Sequence, residues 1–178
     1  MKKPYELTEY LTTGADIDAP LITVWPLYLD MNRWYTDYHW DSVSGPPYAG
    51  IGLQEGQILK ATPLYGTGLS DPTLFYYQEQ LKVTKESEIV VKLTADKPQS
   101  MSGDYGVDVH DVVAFYHWDF SDNRGRTRIG IRSYSNIRMT EKPSARVIAD
   151  LTHLFYRSWG NALNNLALLA ASTAAHDS

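Results

Sequence analysis

An α+β fold, in which an antiparallel sheet packs against one long C-terminal helix, is what this sequence predicts, on three observations. Six runs rich in β-branched and aromatic residues follow one another between residues 39 and 137, separated by clusters of Gly, Pro, Asn, Asp and Ser. After Pro143, apolar residues recur at spacings of three and four almost to the C-terminus. At 178 residues the chain suits a single domain, residues 1–178, and is short for two.

The elements follow in order. Tyr5 to Thr13 is expected to form an opening strand, which Gly14 with Asp16 and Asp18 then breaks. The apolar run Leu21 to Leu29 starts a first helix at Pro20, and Pro26 keeps it short or kinked by removing an amide donor. Asp30 is placed to cap a second short helix, Met31 to Tyr38. The β runs are His39–Ser44, Gln57–Thr62, Thr73–Val83, Glu88–Thr94, Val109–Phe120 and Thr127–Ile137, and their short connections imply an antiparallel meander. Beyond Pro143, Val147, Ile148, Leu151, Leu154, Phe155, Trp159, Ala162, Leu166 and Leu169 trace one stripe over roughly seven helical turns. That stripe must be buried, and the sheet is its only available partner.

Composition narrows the function. Lysine and arginine number 16 against 21 acidic residues, a net charge of -5, so no positive field draws in nucleic acid or an anionic membrane. The absence of cysteine excludes disulfides, thiolate metal sites and a cysteine nucleophile. Neither a signal-like N-terminus nor a bilayer-length apolar stretch is present, and a cytoplasmic location is expected. Tyrosine is abundant, with 13 copies beside 5 Trp and 4 Phe, and it serves both as core filler and as a polar lining for clefts.

The element order, together with Val24-Trp25, Asp30 and Trp34 and the segment Gly56-Gln57-Ile58-Leu59-Lys60-Ala61-Thr62-Pro63, resembles the START/SRPBCC helix-grip superfamily. The spacing of valine-tryptophan, aspartate and tryptophan is similar to that of the bacterial polyketide aromatase/cyclases. Tyr116-His117-Trp118-Asp119-Phe120 followed by Gly125-Arg126-Thr127-Arg128-Ile129 is similar to the superfamily's penultimate hairpin. The resemblance implies a curved sheet of about seven strands gripping the long helix, with a cavity between them for lipids, hormones, polyketides or other aromatic compounds. It implies no single reaction, because this fold hosts carriers, receptors and enzymes alike. The aromatase/cyclases carry a cavity arginine on a middle strand, and Leu74–Val83 and Glu88–Thr94 contain none.

Strand alternation then selects the residues facing that cavity. His110, Val112, Ala114, Tyr116, Trp118 and Phe120 share one face of their strand, and Thr127, Ile129, Ile131, Ser133 and Ser135 one face of the next. Setting Trp118 opposite Ile129 and Tyr116 opposite Ile131 keeps apolar groups together and pairs Asp119 with Arg128 outside. In the strand from Thr73, Phe75, Tyr77, Glu79, Leu81 and Val83 are the expected inward set, which aims Glu79 at the cavity with Tyr77 beside it. A carboxylate among aromatic rings resists ionisation and becomes fit to take and give protons, so Glu79, Tyr77 and His110 are the catalytic candidates. The alternatives are that a bulge turns Glu79 to solvent or that it pairs with a lysine at the sheet rim, and that His110 is a rim histidine bonded to backbone or water. Ligand-binding candidates are Tyr35, Tyr38, His39, Tyr116, Trp118, Ile129, Ile131, Ser133, Phe155 and Trp159. The spacing of seven between His110 and His117 sends them to opposite faces of a regular strand, so no metal and no other cofactor is expected.

Three functions fit these residues. A cofactor-independent lyase, cyclase or hydratase would use Glu79 or His110 to move a proton on an aromatic compound. A carrier would hold a hydrophobic metabolite unchanged. An interaction module would use Phe115 and Tyr134 on the outer face. The polar groups favour the enzyme. The expected partner is a small aromatic or hydrophobic molecule, with a homodimer left open, no nucleic acid and no membrane. Thr62–Pro72 and Lys97–Asp108, rich in glycine, are expected to be loops able to gate access.

Overall fold

The computed structural model describes residues 3–44, 53–64 and 74–176. Strand β1 (Tyr5–Ile17) leads into helix α1 (Leu21–Tyr28) and a single 3-10 turn, Met31–Arg33. Strands β2 (Tyr38–Ser44), β3 (Ile58–Pro63), β4 (Tyr76–Thr84) and β5 (Glu88–Ala95) follow. A 3-10 turn, Pro98–Met101, runs into the short helix α2 (Ser102–Tyr105). The long hairpin β6 (Val109–Asn123) and β7 (Arg126–Met139) precedes α3 (Ala145–His176). All neighbours in the seven-stranded sheet are antiparallel, in the order β1-β7-β6-β5-β4-β3-β2. The two edges are therefore β1 and β2, which α1 and the first 3-10 turn connect.

Three expectations about elements need correction. Gly14 does not break β1; the strand continues to Ile17 in unbroken register with β7. Glycine is required there because a Cβ would lie 2.4 Å from the Ile129 carbonyl oxygen. The second helix shrinks to one 3-10 turn, and Asp30 makes no side-chain cap. Asn32 redirects the chain instead: its Oδ1 accepts from the Trp40 amide at 2.8 Å and its Nδ2 donates to the Trp40 carbonyl at 2.9 Å, which fixes the start of β2. The segment Lys97–Asp108 contains ordered structure, with Met101 and Tyr105 buried. The other expected loop, Thr62–Pro72, lies largely outside the described residues.

The β6–β7 pairing keeps the expected parity and shifts the register by two. Trp118 faces Ile131, Tyr116 faces Ser133 and Phe120 faces Ile129, while Arg128 faces Ser121 rather than Asp119. The hairpin extends beyond Phe120 to a two-residue turn, where Arg124 (φ 57°) and Gly125 (φ 82°) adopt the left-handed conformation that tight hairpins demand.

Helix α3 starts where the Ser144 hydroxyl accepts from the Val147 amide at 3.2 Å. Its two halves do different work. Ala162, Leu163, Leu166 and Ala170 of the second half are buried, and this half is fixed to the 3-10 turn region by Asn165 Nδ2 donating to the Trp34 carbonyl at 3.2 Å. Leu151 and Phe155 in the first half are only partly buried. No helix among the described residues is long and apolar enough to cross a membrane.

Candidate functional site

A cavity of about 200 Å³ lies between the inner face of the sheet and the first half of α3. Its floor is low because the inner face carries small residues where strands meet: Ala114 sits between Leu93 and Ser135, and Ala61 between Trp40 and Tyr76. Around that floor stand rings. Trp159 of α3 stacks at 5.0 Å on Tyr35, meets Trp118 edge-on at 4.8 Å and tilts against Tyr116 at 5.6 Å. Phe155 stacks on Tyr116 at 6.3 Å, and Tyr38 meets Tyr76 edge-on at 6.0 Å. Offset and edge-on geometries of this kind hold aromatic walls in place without filling the space between them.

Polar atoms reach the cavity at few points. Burial pushes the hydroxyls of Tyr35, Tyr38, Tyr76 and Tyr105 well above the ordinary tyrosine value and that of Tyr116 up to about 12, so all five are neutral donors. Ser158 Oγ, on the roof, donates to Asp37 Oδ2 at 2.5 Å. The one charged residue among the described cavity-lining positions is Glu9 of β1. Burial raises its carboxyl above the usual range, a bond from Thr152 Oγ1 at 3.3 Å offsets part of this, and its charge adds to the upward shifts of Tyr105 and Tyr116. The indole N–H of Trp40, another cavity ring, is buried with no partner among the described residues.

Of the residues expected here, Tyr35, Tyr38, Tyr116, Trp118, Ser133, Phe155 and Trp159 line the cavity. Ile129 and Ile131 are buried in the core instead, outside the cavity wall. His39 is exposed and its Nε2 lies 3.3 Å from Asp41 on the same face of β2. The catalytic candidates are all elsewhere. In β4 the buried set is Tyr76, Gln78 and Gln80, so Tyr77 and Glu79 face outward beside Lys92 and Thr94. The apolar character that suggested the opposite parity is satisfied outside, where Lys60 Nζ lies 3.9 Å over the Phe75 ring and Phe75 meets Tyr77 edge-on. His110 is turned out by an irregularity between Val109 and Asp111, and its Nε2 lies 3.3 Å from Thr140 Oγ1.

Sequence reasoning missed Glu9, Trp40, Tyr76, Gln78, Tyr105 and Thr152. For Glu9 a signal existed: Leu7, Glu9 and Leu11 share one face of β1, with Leu7 buried and Leu11 on the cavity wall.

On the outer face, Glu88, His117 and Asp119 bring three donor atoms within 4.8 Å of one another, a spacing that an ion could share. Their partners account for the cluster without one. Arg132 donates to His117 Nδ1 at 2.6 Å and to Asp119 Oδ2 at 3.0 Å, and Lys82 pairs with Glu88. With Nδ1 accepting, the ring proton sits on Nε2, which faces Glu88 at 2.8 Å and leaves no lone pair there for a metal.

Comparison with known proteins places the fold. The structure is similar to the Zhui aromatase/cyclase from Streptomyces sp. R1128, at TM-score 0.63 and 11% identity over 93% of this chain and 94% of that one. It is similar to Ara h 8.0201, at TM-score 0.61 and 10% identity over 93% and 99%. Truncated norcoclaurine synthase from Thalictrum flavum matches at TM-score 0.55 and 12% identity over 95% and 97%. No protein-family model and no curated protein sequence matches the chain. At these identities the likeness shows the fold alone: the chain has the helix-grip fold that its resemblance to the START/SRPBCC superfamily implies.

Proposed function

We propose that this protein binds a small aromatic or hydrophobic molecule in the cavity between its sheet and α3. The observation that carries this reading is a ring-lined space of about 200 Å³ with a few polar atoms at its margins. An engineered apolar cavity of about 150 Å³ accepts benzene, so one substituted ring or a compact fused pair is the matching size. An aromatase/cyclase and a norcoclaurine synthase among the structural neighbours agree with an aromatic occupant.

Native mass spectrometry with a panel of phenolic, polyketide-like and fatty compounds tests it, with quenching of tryptophan fluorescence as a second readout because Trp118 and Trp159 form the wall. One compound per chain is expected, and Ala114→Phe, which raises the floor, should abolish binding while leaving the circular dichroism spectrum unchanged. Binding that survives this substitution would place the ligand elsewhere.

A second reading, acid/base chemistry of lyase, cyclase or hydratase type on the bound compound, is favoured by the position of Glu9. Product analysis in the same tubes, with Glu9→Gln as the comparison, separates it from simple carriage: conversion lost while binding persists supports the enzyme.

A further inference from the structure

Glu9 is short of hydrogen bonds. The only hydrogen bond to it among the described residues comes from the Thr152 hydroxyl, 3.3 Å from Oε1, and that hydroxyl also lies 2.9 Å from the Ile148 carbonyl. A hydroxyl has one proton, so Thr152 divides it between Glu9 and the nearer carbonyl of its own helix. No lysine, arginine or histidine stands on the cavity wall among the described residues. Half-buried on the cavity wall, this carboxylate keeps acceptor capacity that a donor on a ligand can fill.

The complementary deficit is at the other side. Both bonds from Asn32 hold the Trp40 backbone, the indole ring packs against Tyr35 and Tyr38, and its Nε1–H is buried without an acceptor among the described residues. Tyr38 and Tyr76 add neutral hydroxyls next to it, with the Tyr38 ring 6.0 Å from both Trp40 and Tyr76. Glu9 belongs to β1 and Trp40 to β2, the opposite edges of the sheet. Between them the cavity is floored by Ala114 and walled by Tyr116, Phe155 and Trp159.

We propose that the ligand is a compact aromatic molecule polar at both ends, with an O–H or N–H donor set against the Glu9 carboxylate and a carbonyl-type acceptor set against the Trp40 indole N–H. This rests on the cavity being the ligand site and adds what its two ends recognise. Flat rings along the middle take the aromatic body, and each pole cancels an unmet hydrogen bond of the empty protein.

Calorimetric titration with three para-disubstituted benzenes and acetophenone tests it. Para-hydroxyacetophenone and para-(aminomethyl)acetophenone carry an acceptor and a donor at opposite ends, acetophenone an acceptor alone, and para-ethyltoluene neither. The two bipolar compounds are expected to bind at least about tenfold more tightly than para-ethyltoluene, with acetophenone between. The tighter of the two identifies the donor as hydroxyl or ammonium. Glu9→Leu should erase the preference over acetophenone, Trp40→Phe should weaken all three ketones about fivefold, and Glu79→Gln on the outer face should change nothing. The comparison within the unaltered protein stands even if a variant folds poorly. Para-ethyltoluene binding as tightly as the bipolar pair would overturn this inference and leave the cavity reading intact. If none of the four binds and the wider panel also fails, the cavity reading itself falls.

Discussion

Glu9 carries a pH dependence whose sign follows from its surroundings. Burial holds its carboxyl above the ordinary 4.5, so between that value and the raised one the native state keeps a proton that the unfolded chain has lost. The contribution of Glu9 to stability therefore falls as pH rises through that window and stays low above it. Glu9→Gln should raise the melting temperature relative to the native sequence at pH 7 and lose that advantage below about pH 4. Melting both proteins across this range by circular dichroism checks it, and an advantage that grows on acidification would show the sign to be wrong. The same residue illustrates how far strand alternation carries: Leu7-x-Glu9-x-Leu11 marks the inward position correctly, whereas Phe75-x-Tyr77-x-Glu79 misleads because Lys60 satisfies the Phe75 ring from outside.

At the scale of elements, the β6–β7 hairpin and β1 set the shape of the site. Gly14 permits β1 to approach β7 where a Cβ would meet the Ile129 oxygen at 2.4 Å, and Ile129 is itself buried in the core. Gly14→Ala is expected to cost about 2 kcal/mol, since relief requires a backbone shift in a fully paired strand. Chemical denaturation measures this, and a cost within about 0.5 kcal/mol would mean that the strand pair gives way easily. Helix α3 divides into a buried second half and a cavity-roofing first half, so apolar periodicity alone recorded one stripe where the structure has two environments. The irregularity that turns His110 out, and the two-residue register shift in the hairpin, come from pairing between strands that no single run of residues encodes.

Across the whole molecule, five buried or half-buried tyrosines of the cavity wall resist ionisation together. Their hydroxyls lie above the ordinary value of 10.0 in the native state and return to it on unfolding. The native state thus holds protons that the unfolded chain releases, so stability is intact below pH 10 and declines as pH rises beyond it. A spectrophotometric titration should show exposed tyrosines such as Tyr10 ionising first and the buried set only as the far-ultraviolet dichroism is lost. Smooth ionisation of all tyrosines in a folded protein would contradict the burial of these rings in the cavity wall.

The sequence by itself determined the class of fold, the order of its elements and the inner face of β6 and β7, because alternation and three-four periodicity are local consequences of which groups leave water. It also marked Tyr35, Tyr38, Tyr116, Trp118, Phe155 and Trp159, whose size and apolarity place them inside whatever the detailed register. Only the tertiary structure decided which polar groups share the cavity with them. Glu9 and Trp40 come from the two edges of the sheet and line one cavity between it and α3, whereas Glu79 and His110 are carried outward by strand parity and by a local irregularity. The position of a lone charge depends on long-range pairing and on the choices of every neighbour, and that information is held by the packed molecule rather than by any one segment.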